Sequence, residues 1–133
     1  MSLNFLHERL ATAMVLFAAI AGLYGLVEYF RRRPVSPNYW GIIVVGNLLA
    51  VGQGIIGLIL ALGGGEPARG IIHILYGVVA LSWIPLINFI GGWVNKDKQP
   101  RRETLVVALV SLFEAGIALR AITTATLAGP GVL

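Results

Sequence analysis

Residues 39–62 read YWGIIVVGNLLAVGQGIIGLILAL, and no charged side chain lies between Asn38 and Gly65. A hydrocarbon core about 30 Å thick is crossed by about 20 apolar helical residues. The stretch therefore reads as a membrane span. Lipid offers no partner to a backbone N–H or C=O, so such a segment must be a helix. Working outward, three more stretches share the character. Residues 6–30 hold an uncharged run from Leu10 to Val27. Residues 70–94 contain His73 as their one ionisable group. Residues 104–125 contain Glu114 and Arg120. The first stretch does not read as a signal peptide. Its apolar run is too long, it lacks a small-residue exit, and Arg31, Arg32 and Arg33 follow it directly.

The breaks between spans are well marked. Pro34 and Pro37 separate the first from the second, Gly63-Gly64-Gly65-Glu66-Pro67 forms a turn, and residues 95–100 form a charged one. The connections are short, which makes sequential helices antiparallel neighbours. The expected fold is all-α: one integral membrane domain over residues 1–133, an antiparallel up-down four-helix bundle.

Composition agrees. Of the 133 residues, 57% are apolar and 12% charged, against about 25% charged in soluble domains. That excludes an ordinary soluble domain, and the apolar content excludes disorder. With no cysteine, disulfides, thiolate metal sites and thiol catalysis drop out. The net charge of +4 does not point to nucleic acid, because the positive residues form two juxtamembrane clusters. Arg31, Arg32, Arg33, Lys96, Lys98, Arg101 and Arg102 fall on one side; Arg9, Arg69 and Arg120 fall on the other. The richer side belongs in the cytoplasm, which places both termini outside a bacterial inner (cytoplasmic) membrane.

Small residues recur at helical spacing: Ala11, Ala18, Gly22 and Gly25 in the first span; Gly46, Ala50, Gly54, Gly57 and Ala61 in the second; Gly77, Ala80 and Gly91 in the third. Such faces let helices approach closely in lipid. Asn47 and Gln53 read as polar bridges between helices.

Ionisable groups inside a membrane are expensive and mark candidate function. His7 opens the first span and His73 the third, so in an up-down bundle both lie at the same depth on the outer side. Two imidazoles so placed suit the axial ligands of a b-type haem. Ala11 and Gly77, each four residues after a histidine, leave room beside them. Arg9, Arg69 and Arg120 share the outer level and suit propionate carboxylates, and Tyr76 is placed to pack on the ring. The bland alternative is that each histidine only reaches the interface. A third reading has His7, His73 and Arg120 donating hydrogen bonds to a quinone carbonyl. Glu114, six residues from Arg120 and so on a different face, sits near mid-membrane. It suits a buried neutral carboxyl or a proton-carrying group equally. No hydrolase, zinc-protease or phosphate-loop motif is present.

With His7 and His73, and Arg9, Arg69 and Arg120 near them, the helical layout resembles small four-helix cytochrome b membrane proteins such as the haem-bearing anchors of quinone-linked dehydrogenases. It departs from those anchors in carrying four spans on one chain and both histidines shallow on one side. The segment His73-Ile74-Leu75-Tyr76-Gly77 is similar to one in uncharacterised small bacterial membrane proteins. The resemblance implies haem b on His7 and His73 and an electron carrier or subunit rather than a stand-alone enzyme. Electrons would pass to or from quinone or a larger membrane complex. The rival expectation is a cofactor-free accessory subunit of a respiratory or photosynthetic complex. Membrane lipid, other membrane subunits or further copies of the chain are the expected partners.

Overall fold

The computed structural model describes residues 2–64, 70–83, 85, 87, 89 and 99–126. Among these it contains four helices and no strand: α1 (Leu3–Phe30), α2 (Pro37–Leu62), α3 (Gly70–Leu81) and α4 (Pro100–Thr126). The starts of α1, α2 and α4 have local causes. The Ser2 hydroxyl accepts from the Phe5 N–H at 3.2 Å, and the Ser36 hydroxyl from the Tyr39 N–H at 3.2 Å. These caps satisfy amides that a first helical turn leaves bare. Pro37 and Pro100 occupy first-turn positions, where a missing N–H does no harm. The capped helices therefore begin a few residues before the apolar runs do.

The end of α1 is unusual. The Arg32 N–H donates to the Tyr29 carbonyl at 3.0 Å and the Arg33 N–H to the Glu28 carbonyl at 2.9 Å, a Schellman closure. Such a closure needs a left-handed residue, normally glycine. Here Arg32 takes the position with φ 58°, at a cost of about 1 kcal/mol relative to glycine. At the end of α2 the comparable turn uses Gly64, φ 84°.

Three helical stretches are long and apolar enough to cross a bilayer: Leu3–Phe30, Pro37–Leu62 and Pro100–Thr124. The described part of the third expected span, α3, has 12 residues, about 18 Å of helix. The continuation of that span to residue 94 falls largely outside the described residues, as do Gly65 to Arg69.

Helix α1 packs on α2 and on α4; α3 packs on α4 and more lightly on α2. Helices α1 and α3 therefore stand across the bundle from one another. Close approach is made by glycine. A Cβ on Gly46 would come within 2.6 Å of the Trp83 ring, and one on Gly54 within 2.9 Å of Leu81. Gly22 and Gly25 admit Leu112 and Tyr39 so closely that a methyl would overlap them. The Tyr39 hydroxyl uses the gap at Gly25 to donate to the Ala21 carbonyl at 2.7 Å.

Polarity is arranged opposite to that of a water-soluble bundle. The exposed stripe of α1 is Leu16, Ile20, Leu23, Val27 and Phe30; Leu48, Leu58 and Leu62 face outward on α2. Among the described residues, the buried polar ones are Glu28, Thr104, Ser111, Glu114 and Thr124. Large apolar side chains cover the outside while the interior mixes polar groups with Trp83, Tyr39, Ile43 and small residues, an arrangement that suits hydrocarbon surroundings, where close packing holds helices together.

Candidate functional site

His7 lies on the second turn of α1, where α1 passes the Gly57 end of α2. A Cβ on Gly57 would stand 3.1 Å from His7 Cε1 and 3.9 Å from both ring nitrogens, so glycine there is what lets the imidazole point its Cε1 edge at α2. One turn back along α2, the Gln53 amide nitrogen is 3.4 Å from His7 Nε2. His73, near the start of α3, places Nδ1 2.7 Å from the Ala121 carbonyl oxygen of α4. That carbonyl also accepts the Thr124 hydroxyl at 2.9 Å. The two imidazoles, from helices on opposite sides of the bundle, meet with ring centroids 6.2 Å apart and planes at 76°. Beside them is a half-open cavity of about 200 Å³. Its walls are His7, Glu8, Ala11 and Thr12 of α1, Gln53 of α2, His73 of α3, and Ala121 and Ile122 of α4. All four helices thus contribute to one site.

The partners set the tautomers. A carbonyl oxygen only accepts, so His73 carries its proton on Nδ1 and leaves the Nε2 lone pair available. The Gln53 amide N–H donates to His7 Nε2, so in the neutral ring the His7 proton sits on Nδ1. That Nδ1 is buried and has no hydrogen-bond partner, and Gln53 Oε1 is in the same condition. A buried donor left without a partner forfeits about 1–3 kcal/mol. His7 Nδ1–H is thus an unpartnered donor shut away from the cavity's open space, and the neutral His73 ring carries no proton on Nε2. Turning the Gln53 amide over would put Oε1 opposite His7 Nε2, move the proton there, and convert Nδ1 into a second lone pair.

The other residues expected at the site are distributed as follows. Ala11 lines the cavity. Gly77 faces open space, with nothing within 4 Å of where a Cβ would stand, and does not line the cavity. Tyr76 is half-buried outside its walls. Arg9 is exposed, its guanidinium 4.9 Å from the centre of the Phe5 ring. Arg120 is half-buried, with Nη2 buried and unpartnered, and is not among the cavity's walls. Arg69 lies outside the described residues. Mid-bundle, Glu114 is 1% exposed and its Oε1 has no hydrogen-bond partner, as is true of Asn47 Oδ1 and Trp83 Nε1.

Gln53, expected to bridge helices, does reach from α2 to α1; that its partner is His7 was not read from the sequence. The signal was the Gln53/Gly57 pair, four residues apart on one face of α2. The Ala121 carbonyl could not have been found that way, because any residue supplies one. The chain matches no protein-family model, no curated protein and no solved structure.

Proposed function

We propose that the chain is a multi-pass protein of a bacterial cytoplasmic membrane with a redox role, and that its histidine cavity holds the head group of a quinone. In this reading the bundle is antiparallel up-down with both termini outside. The pairing of contacts supports that arrangement: Gly25 meets Tyr39 while His7 meets Gly57, and Gly22 meets Leu112 while Gly25 meets Ala108. The observation that carries the quinone reading is the pair of imidazoles, ring centroids 6.2 Å apart, in the wall of a one-ring space. A small rotation of the His7 ring would turn its unpartnered Nδ1–H toward a quinone carbonyl. His73 Nε2 suits the hydroxyl that replaces a carbonyl on reduction. A volume of about 200 Å³ lies below the roughly 300 Å³ at which pockets for larger ligands begin. The apolar exterior gives a lipid-soluble tail somewhere to lie. Electrons would then pass to or from a larger membrane complex.

Haem b on the same two histidines is the second reading. It is favoured by the His73 Nδ1–H bond to Ala121, the kind of outer contact that orients a metal-bound imidazole. It requires the Gln53 amide to turn, and α1 and α3 to part, because a tetrapyrrole is larger than the cavity. The test is a titration of the protein in lipid nanodiscs with a short-tailed quinone, followed by tryptophan fluorescence, after recording the dithionite-reduced minus oxidised spectrum. Saturable binding that falls at least tenfold in His73→Leu, with melting unchanged, supports the quinone site. A sharp α-band from stoichiometric haem transfers the site to haem. Neither signal, with larger subunits copurifying, refutes both and leaves an accessory subunit.

A further inference from the structure

The opposite end of the bundle carries a second concentration of chemistry. Arg31, Arg32 and Arg33 close α1, and Arg101 and Arg102 open α4; in sequence they are far apart. The fold joins them. The Thr104 hydroxyl donates to the Arg33 carbonyl at 2.9 Å. Arg101 Nε donates to the Tyr29 carbonyl at 3.4 Å, and its guanidinium lies 4.4 Å from the centre of the Tyr29 ring. These contacts bring the two arginine segments to one end of the bundle, and all five arginines are exposed there. Two acids stand near it: Glu28, buried and 3.8 Å from Arg33, and Glu103 in the first turn of α4. Exposed apolar side chains, Val27, Phe30 and Trp40, lie at the same end of the bundle. Phe30, 74% exposed, directly precedes the first arginine.

We infer that this patch is a docking surface for an anionic phospholipid. Its phosphate is held by the guanidinium groups of Arg32 and Arg101, and its acyl chains lie along Val27 and Phe30. A soluble anion would use the charges and leave the apolar lane uncovered; an amphiphile uses both. Forked guanidinium groups match phosphate oxygens. Basic clusters beside membrane helices attract anionic lipid with a strength that grows by about fivefold for each arginine. Arg32 itself occupies a left-handed position that glycine fills more comfortably. The inference rests on the membrane reading and is independent of what the histidine cavity binds.

The test uses the full chain in nanodiscs of phosphatidylcholine doped with phosphatidylglycerol, with the lipid retained after detergent extraction identified by mass spectrometry. Phosphatidylglycerol should be enriched around the protein over its bulk fraction. Arg32→Gly and Arg101→Ala should each weaken that retention about fivefold. Arg9→Ala, the same charge change about 35 Å away along α1, should leave it within twofold. Arg32→Gly relieves backbone strain, so its retention reads the site even if the loss of the Tyr29 contacts in Arg101→Ala lowers stability. Equal retention in all three variants would overturn the inference. So would displacement of the lipid by millimolar inorganic phosphate, which would make the patch a site for the free anion. A chain that stays soluble without detergent or lipid refutes the membrane reading instead.

Discussion

Placing a methyl at Gly25 tests the packing on which the whole bundle depends. Gly25 is buried in α1 where Tyr39 of α2 and Ala108 of α4 converge. A Cβ there would overlap the Tyr39 hydroxyl, stand 2.8 Å from Tyr39 Cζ and 2.7 Å from Ala108 Cβ. Neither neighbour has a flexible end to withdraw. Tyr39 is fully buried and its hydroxyl is held by the Ala21 carbonyl at 2.7 Å. Overpacking of this kind costs about 1–3 kcal/mol, and losing the tyrosine hydrogen bond adds about 1 kcal/mol. Replacing glycine by alanine in a helix returns about 1 kcal/mol. The net expectation for Gly25→Ala is a loss of about 1–3 kcal/mol.

Two companions make the result interpretable. Gly116 on α4 is exposed, with nothing within 4 Å of its notional Cβ. Gly116→Ala should therefore keep the propensity gain and be neutral or stabilising by up to about 1 kcal/mol. Tyr39→Phe removes the oxygen that collides, so the double variant Gly25→Ala/Tyr39→Phe should lose less than the sum of the singles. Reversible unfolding in mixed micelles, followed by near-ultraviolet circular dichroism, reads all four proteins. A Gly25→Ala protein within 0.5 kcal/mol (about twofold in the unfolding constant) of the parent would refute the convergence of α1, α2 and α4 at this point. So would a Gly116→Ala protein destabilised as strongly.

Three further outcomes are expected. Thr104→Val removes the hydroxyl that ties α4 to the Arg33 carbonyl and should lower stability by about 1 kcal/mol, while Thr104→Ser should retain most of it; the same unfolding assay decides. Glu114→Met exchanges a buried carboxyl with an unpartnered oxygen for an apolar side chain of similar length, and should be neutral or stabilising by about 1 kcal/mol. A clear loss in that assay would show that the oxygen holds a partner. Gly57→Ala must push His7, whose Cε1 is 3.1 Å from the new methyl, into the cavity. Quinone affinity measured by fluorescence titration should fall about tenfold, equivalent to about 1.4 kcal/mol, with melting unchanged; undiminished affinity would place the ligand elsewhere.

The helices were legible because lipid imposes a simple code: an uncharged run long enough to cross, ended by proline, glycine or charge. Their ends were less legible, because a cap is a side-chain geometry. Ser2 and Ser36 extend α1 and α2 beyond the apolar runs, and hydropathy does not register a serine turned back on its own helix. The small-residue faces were read for the right reason at Ala18, Gly22, Gly25, Gly46 and Ala50, all buried. Gly77 was not distinguishable from them by spacing, yet it faces open space. Two histidines at matched depth could be noticed in the sequence; that they meet could not, because adjacency depends on which helices stand across from each other. The arginines were placed by level along the membrane. Level says nothing of azimuth, and azimuth puts Arg9 outside on the Phe5 ring and Arg120 off the cavity wall.

The distribution of burial gives the histidine site its physical setting. On α1 every buried residue lies from Met14 onward, and on α2 none lies beyond Ala50. The end of the bundle that holds Tyr39, Ile43 and Val107 is packed tightly around glycine contacts. At the end that encloses the cavity His7, Gln53 and His73 are half-buried, while Ala118 and Thr124 of α4 are buried. Local opening follows packing density, so loosely packed ends open at low free energy while tightly packed ones open only with the whole fold. A ligand entering between His7 and His73 therefore needs to displace little, while the far end of the bundle holds α1 and α2 in register. His7 Nδ1 and Gln53 Oε1, buried and unpaired at this end, gain partners only if the His7 ring or the Gln53 amide turns toward the cavity as a ligand enters.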